Sequence, residues 1–256
     1  MSQAKSTERT MKEVFAELDI TSVEDLATLV GAPNVEPGHY ASIFNWTMGI
    51  SRKFDIQANN YFPEENGRFK EKKAIGKKSE KAVLDKFKCL RDNTLQNLKN
   101  TDLISKFNKT HVEVKAAFSP CYSPNMVDKN YRKKELHINV FDQHSRPGSL
   151  FRALMQDPNA FVIFHIYEYA YDTETRKQAF KEREQTKKPL KIMPSSTHFK
   201  IYRIRDLIKR LVKLQNNGCY PMQNQFDALI EIERYKDLEI TDAEFRKLMT
   251  TTSKKS

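Results

Sequence analysis

The stretch Asp102-Leu-Ile-Ser-Lys-Phe-Asn-Lys-Thr-His-Val-Glu113-Val-Lys115-Ala-Ala-Phe118 constrains this chain more than any other. Val112, Val114, Ala116, Ala117 and Phe118 favour a strand, and strand residues two apart share a face, so Glu113 and Lys115 stand side by side. Asn108-Lys109 supplies a turn without the glycine of the strongest hairpin signal. A hairpin closed on those two residues sets Asp102 opposite Lys115 and Ile104 opposite Glu113, with Asp102 diagonal to Glu113 on one face. A slip of one residue destroys that grouping. Two carboxylates so placed suit Mg²⁺, a cation held by oxygen ligands with room left for water and a phosphate oxygen. Lys115 is then placed to orient the water or to steady negative charge as it develops.

An acid-x-Lys tripeptide is weak on its own, and Glu71-Lys72-Lys73 is a second instance. The bland reading, solvated strand charges, applies to both. Context separates them: Glu71 lies in a charged run from Arg68 to Lys78, whereas Glu113 is embedded among strand formers.

The neighbouring segments add to the pattern. Gly76 to Leu90 has Ser79 as an N-cap candidate and Val83, Leu84, Phe87 and Leu90 at helical spacing. Pro147 to Met155 reads as a helix begun at Ser149 and broken at Asp157-Pro158. Phe161-Val-Ile-Phe-His-Ile-Tyr167 is a nearly continuous apolar strand, suited to a sheet covered on both faces. With this order of helix, acid-x-Lys hairpin, helix and buried strand, residues 76 to 170 resemble the PD-(D/E)xK nuclease superfamily, and within it the type II restriction endonucleases. The resemblance implies catalytic roles for Asp102, Glu113, Lys115 and Glu80. Asp102 and Glu113 would bind Mg²⁺, Lys115 would assist the attacking water, and Glu80 would support the site from its helix. Thr101 stands where the family most often has proline. Asp92, in a turn predicted after the helix, is a second candidate for the first acid. Residues 120 to 148 exceed a simple connection, and Glu135 to Asp142 inside them alternates like a further strand.

The formal charge of +11 and a pI near 9.4 fit a polyanionic partner, nucleic acid or an anionic membrane. No apolar stretch reaches the length of a membrane span and no signal-peptide core opens the chain, so a soluble, cytoplasmic protein is expected. Three scattered cysteines, Cys89, Cys121 and Cys219, suit reduced thiols and form no zinc spacing with the histidines.

Residues 1 to 9 read as a polar tail. Two helical patterns follow, Met11 to Leu18 and Ser22 to Val30, the second opened by a Ser22/Asp25 capping box. Ala32 to Gly38 is a loop, and Tyr40 to Met48 an apolar helix whose Trp46 belongs in a core. Two basic segments offer phosphate contacts: the run holding Lys72, Lys73, Lys77 and Lys78, and a predicted helix from Lys200 to Leu214. In that helix Ile201, Ile204, Ile208, Leu211 and Val212 form a stripe flanked by Arg203, Lys209 and Arg210. Gln143, Arg146 and Asn216 are candidate base readers, though their segments equally suit ordinary turns. His111 and His165 receive no catalytic role.

The expectation is an α/β chain with a central mixed sheet flanked by helices and with helical N-terminal and C-terminal extensions. Its regions are 1–60, a nuclease core at 61–215 and 216–256, all of which can form one compact domain. The resemblance makes it a Mg²⁺-dependent endonuclease acting on double-stranded DNA, as a homodimer if its site is palindromic. Two other readings fit the charge: a non-enzymatic viral nucleocapsid or packaging protein, and a phage or viral recombination or repair nuclease without sequence preference.

Overall fold

The computed structural model describes residues 9–22, 24–25, 67–93, 101–119, 135–141, 148–168, 174, 178, 181–182, 185–186, 196–213, 219–222 and 225–252. The Tyr40–Met48 segment with Trp46, the readers Gln143, Arg146 and Asn216, Cys121, and most of the Ser22–Val30 pattern lie outside them. The opening of that pattern is described: Asp25 Oδ2 accepts from Ser22 N at 2.9 Å and Asp25 N donates to Ser22 Oγ at 3.1 Å, the expected reciprocal cap.

Five strands form a mixed sheet in the order β1-β2-β3-β5-β6: β1 Leu90–Asp92, β2 Leu103–Ser105, β3 His111–Ser119, β5 Phe161–Glu168 and β6 Ser196–Arg203. Only β3 and β5 run parallel. A second, three-stranded sheet joins β4 Glu135–Phe141 to β8 Gln225–Glu231 and β7 Cys219–Met222. The helices are α1 Met11–Glu17, α2 Gly67–Lys86, α3 Ser149–Gln156, α4 Ile204–Lys213 and α5 Asp242–Thr250, with a 3-10 helix over Ile232–Leu238. The class is α/β, a mixed sheet flanked by helices. The described part of the C-terminal region is not all helical: β7 and β8 come first, and the 3-10 helix and α5 follow.

Strand alternation sorts the core into two layers. Val162, Phe164 and Ile166 of β5 and Tyr202 of β6 meet α1, α3 and α4. Val112 and Val114 of β3, Phe161 and Ile163 of β5 and Ile201 of β6 meet Val83 of α2, Phe87 just beyond its end, and Phe245 and Met249 of α5. This double covering is why β5 is apolar at nearly every position. Phe87 is fully buried, edge-on to Phe245 at 5.0 Å between ring centroids and to Phe199 at 6.3 Å. Phe87→Ala is therefore expected to cost about 3–5 kcal/mol. Urea unfolding should show a lowered midpoint with an unchanged slope; an unmoved midpoint would contradict this packing.

Three elements differ from the sequence reading. Ser79 is not an N-cap but a mid-helix residue of α2, fully buried, with its Oγ 3.0 Å from Tyr167 Oη and 3.2 Å from His165 Nδ1. The basic run from Arg68 to Lys78, read as an exposed segment preceding that helix, is its first half. Ile201 and Arg203 belong to β6, and the helix begins only at Ile204. Ile201, Ile204, Ile208 and Leu211 are buried as the stripe requires, yet the first is buried by strand alternation, which imitates helical spacing over so short a stretch. Asp92 is the last residue of β1, paired with Leu103, not a turn residue.

Candidate active site

The hairpin joining β2 to β3 sets the register of the site. Its loop spans 106–110, closed by Ser105 N donating to Thr110 O at 2.9 Å. Ser105 Oγ accepts from Phe107 N and Asn108 N and donates to Met249 O at 2.7 Å, while Asn108 Nδ2 donates to Leu248 O at 2.7 Å. The loop is thus longer than the turn at Asn108-Lys109 and is fastened to α5. Leu103 pairs with Val112 and Ile104 with His111, a slip of two residues from the predicted register. An even slip keeps every side chain on its face. It also carries Asp102 from opposite Lys115 to the position opposite Glu113, just where the ladder stops.

There Asp102 does the work of the missing strand: its Oδ2 accepts from Val114 N at 2.8 Å, between Glu113 and Lys115. Glu113 is buried, and Lys115 Nζ donates to its Oε1 at 2.7 Å. Burial, followed by the neighbouring Glu113 charge, pushes the Asp102 carboxyl up to about 8; Lys115 and the Val114 N–H oppose this without cancelling it. Burial alone would depress the Lys115 ammonium, but Glu113 and Asp102 more than offset that and raise it. Glu80, half-buried on α2, is also raised, first by burial and then by Asp92 and Glu113. Asp102, Glu113 and Lys115 are therefore brought together, while Glu80 on α2 and Asp92 on β1 act on the group only through their charge. The signal of Asp92 in the sequence was faint, one charge at the end of a three-residue strand.

The donor set suits a hard divalent cation: two oxygen-bearing side chains at one strand end, one of which resists ionising without a nearby positive charge. Among the described residues no three His, Cys, Asp or Glu side chains stand together as a complete cage. Asp102 and Glu113 would have to supply the protein's share, with water or substrate completing it.

The remaining candidates are scattered. Lys77 and Lys78 are exposed on α2, while the side chains of Lys72 and Lys73 lie outside the described residues. Arg203 sits over the Phe161 ring at 5.0 Å. Lys209 pairs with Asp19 at 3.2 Å and Arg210 with Asp237 at 2.6 Å, so the flank of α4 meets acids of this chain. His111 Nδ1 lies 2.7 Å from Thr101 Oγ1 and its N donates to Asp157 Oδ2 at 2.8 Å. His165 is buried between the rings of Tyr167 and Phe199, with Ser79 as its partner, a satisfied core histidine as expected. No helix among the described residues is long and apolar enough to cross a membrane. Comparison with protein-family models, curated proteins and solved structures finds no match.

Proposed function

We propose that this chain is a Mg²⁺-dependent endodeoxyribonuclease of the type II restriction endonuclease kind, a homodimer cutting double-stranded DNA. The reading rests on one observation above all: Asp102, just before β2, reaches across to the Val114 N–H, between Glu113 and its partner Lys115. Charge of both signs is gathered half in and half out of the sheet, where a solvated strand would leave it apart.

In hydrolysis a bond forms between the water oxygen and phosphorus, the bond from phosphorus to the leaving sugar oxygen breaks, and the leaving oxygen takes up a proton. Asp102 and Glu113 would hold Mg²⁺, which when bound would polarise the phosphoryl group and lower the pKa of the water. Glu113, joined by Asp102 once that carboxyl sheds its proton, would supply the negative charge that attracts a cation. Lys115, kept protonated by those two acids, faces charge developing on the phosphate oxygens. Glu80 adds a third carboxyl from α2. Lys77 and Lys78, exposed on the same helix just before Glu80, would serve as phosphate anchors.

Plasmid DNA incubated with the protein and Mg²⁺ tests this. Discrete fragments identify a sequence-specific enzyme, and a smear identifies the nonspecific recombination or repair nuclease. Lys115→Ala should slow either by roughly 10²–10³-fold. Binding of nucleic acid with no cutting by the wild type would favour the packaging-type protein and overturn the proposal.

A further inference from the structure

Phe107 is the large apolar side chain that the described residues leave most open, 51% exposed at the tip of the β2–β3 hairpin. Its loop is fastened on both sides. Before it, Lys106 N donates to Cys89 O at 2.9 Å and Lys106 Nζ to Lys88 O at 2.7 Å. After it, Asn108 Nδ2 donates to Leu248 O at 2.7 Å and to Thr251 O at 3.1 Å. The ring is therefore carried on backbone that α5 and the segment after α2 hold in place, which lowers the ordering cost of binding through it.

A single exposed phenylalanine is ordinary on a protein surface, so the ring alone points to no ligand. The same attachments, however, border a cavity of about 190 Å³, several times the roughly 30 Å³ share of one water, lined by Lys86, Lys88, Cys89, Arg246 and Thr250. Lys86 pairs with Asp242 at 2.5 Å. Lys88 meets Asp85 at 3.3 Å with both side chains open to water, a contact that an incoming anion readily replaces. Arg246 gives one N–H to Lys86 O at 3.2 Å, and neither it nor Lys106 meets a carboxylate among the described residues. Lys109 in the loop and Lys247 after Arg246 are exposed as well. The basic flank of α4 is answered by Asp19 and Asp237, whereas this surface keeps uncompensated positive charge around an aromatic ring. Cations for phosphates and an apolar ring for bases are the two chemistries of a polynucleotide contact. Between this tip and Asp102 lies only the three-residue β2, about 10 Å at the usual rise of a strand, so one duplex can span both.

Resting on the nuclease reading for the choice of partner, we propose that the hairpin tip and this cavity form a DNA-contact surface. A backbone phosphate lodges among Lys86, Lys88 and Arg246, and Phe107 packs against a neighbouring base.

Phe107→Ala and Lys88→Ala test the two halves separately. Lys88 suits the purpose because its ion pair is the exposed one with Asp85, and it is its carbonyl, not its Nζ, that anchors Lys106. Binding of a fluorescent duplex is followed by anisotropy with Ca²⁺ held constant while KCl is varied. Phe107→Ala should weaken binding roughly tenfold at every salt concentration, with an unchanged slope of log affinity against log salt. Its melting temperature should match the wild type, since about half of the residue already faces water. Lys88→Ala should reduce the slope by about one. Wild-type affinity or a clear fall in melting temperature in Phe107→Ala, an unchanged slope in Lys88→Ala, or a wild type that binds no duplex would each overturn the assignment. Should both variants behave as expected while the wild type cuts no DNA, the contact surface stands and the nuclease reading fails.

Discussion

Glu113→Gln is expected to lower cleavage on the order of 10³-fold, or about 4 kcal/mol of transition-state stabilisation, with DNA binding retained. The substitution keeps the volume and hydrogen-bonding shape of a buried side chain and removes only its charge. With that charge gone, Lys115 keeps an amide oxygen to donate to but loses its ionic partner, and Asp102 loses the repulsion that, after burial, does most to resist its ionisation. Asp102 can then ionise beside the lysine, so the fold keeps one ion pair and its stability changes little. Binding should hold or strengthen, since a negative charge facing the DNA backbone has been removed. Gel-shift binding in Ca²⁺ alongside plasmid cleavage in Mg²⁺ separates the two effects. Parallel loss of binding and cutting would mean that Glu113 holds the fold; cleavage within a few-fold of the wild type would remove it from the chemistry.

How much of this was legible in the sequence follows the range of the forces involved. Strand β3, strand β5 and helix α3 announce themselves through local pattern, because their alternation, apolar runs and helix breakers act over a few residues. The face shared by Glu113 and Lys115 is equally local. The hairpin register is not: Asn108 and Ser105 are held by carbonyls of Leu248 and Met249, some 140 residues later in the chain. Local turn chemistry pointed to a two-residue turn, and tertiary contacts chose a longer loop. Ser79 has the same explanation, since its partners His165 and Tyr167 lie on the far side of the sequence and make a buried hydroxyl tolerable inside a helix. Asp92 was assigned to a turn because a three-residue edge strand is too short to show alternation.

Asp102→Asn should also end cleavage, yet it should stabilise the metal-free protein. In the fold this carboxyl is pushed up to about 8, against an ordinary value near 3.8. Between those values the folded chain holds a proton that the unfolded chain has released, so stability falls as pH rises through that window. The favourable state is complete below about 4 and is lost by the time pH passes about 8. Asparagine removes this term while its Oδ1 can still accept from Val114 N. The melting temperature of the variant should therefore exceed that of the wild type by a margin that grows from pH 5 to pH 8 and then levels. For a domain of this size each kcal/mol corresponds to about 2–4 °C. Cleavage by the wild type at limiting Mg²⁺ should climb over the same interval, because the carboxyl must shed its proton before it can serve a cation. A margin that stays flat or shrinks with pH would place Asp102 in its ionised form at neutral pH, and the crowding of Asp102 and Glu113 would not be what shapes this site. A growing margin joined to complete loss of cutting is the pattern expected of a residue kept for chemistry at the expense of stability.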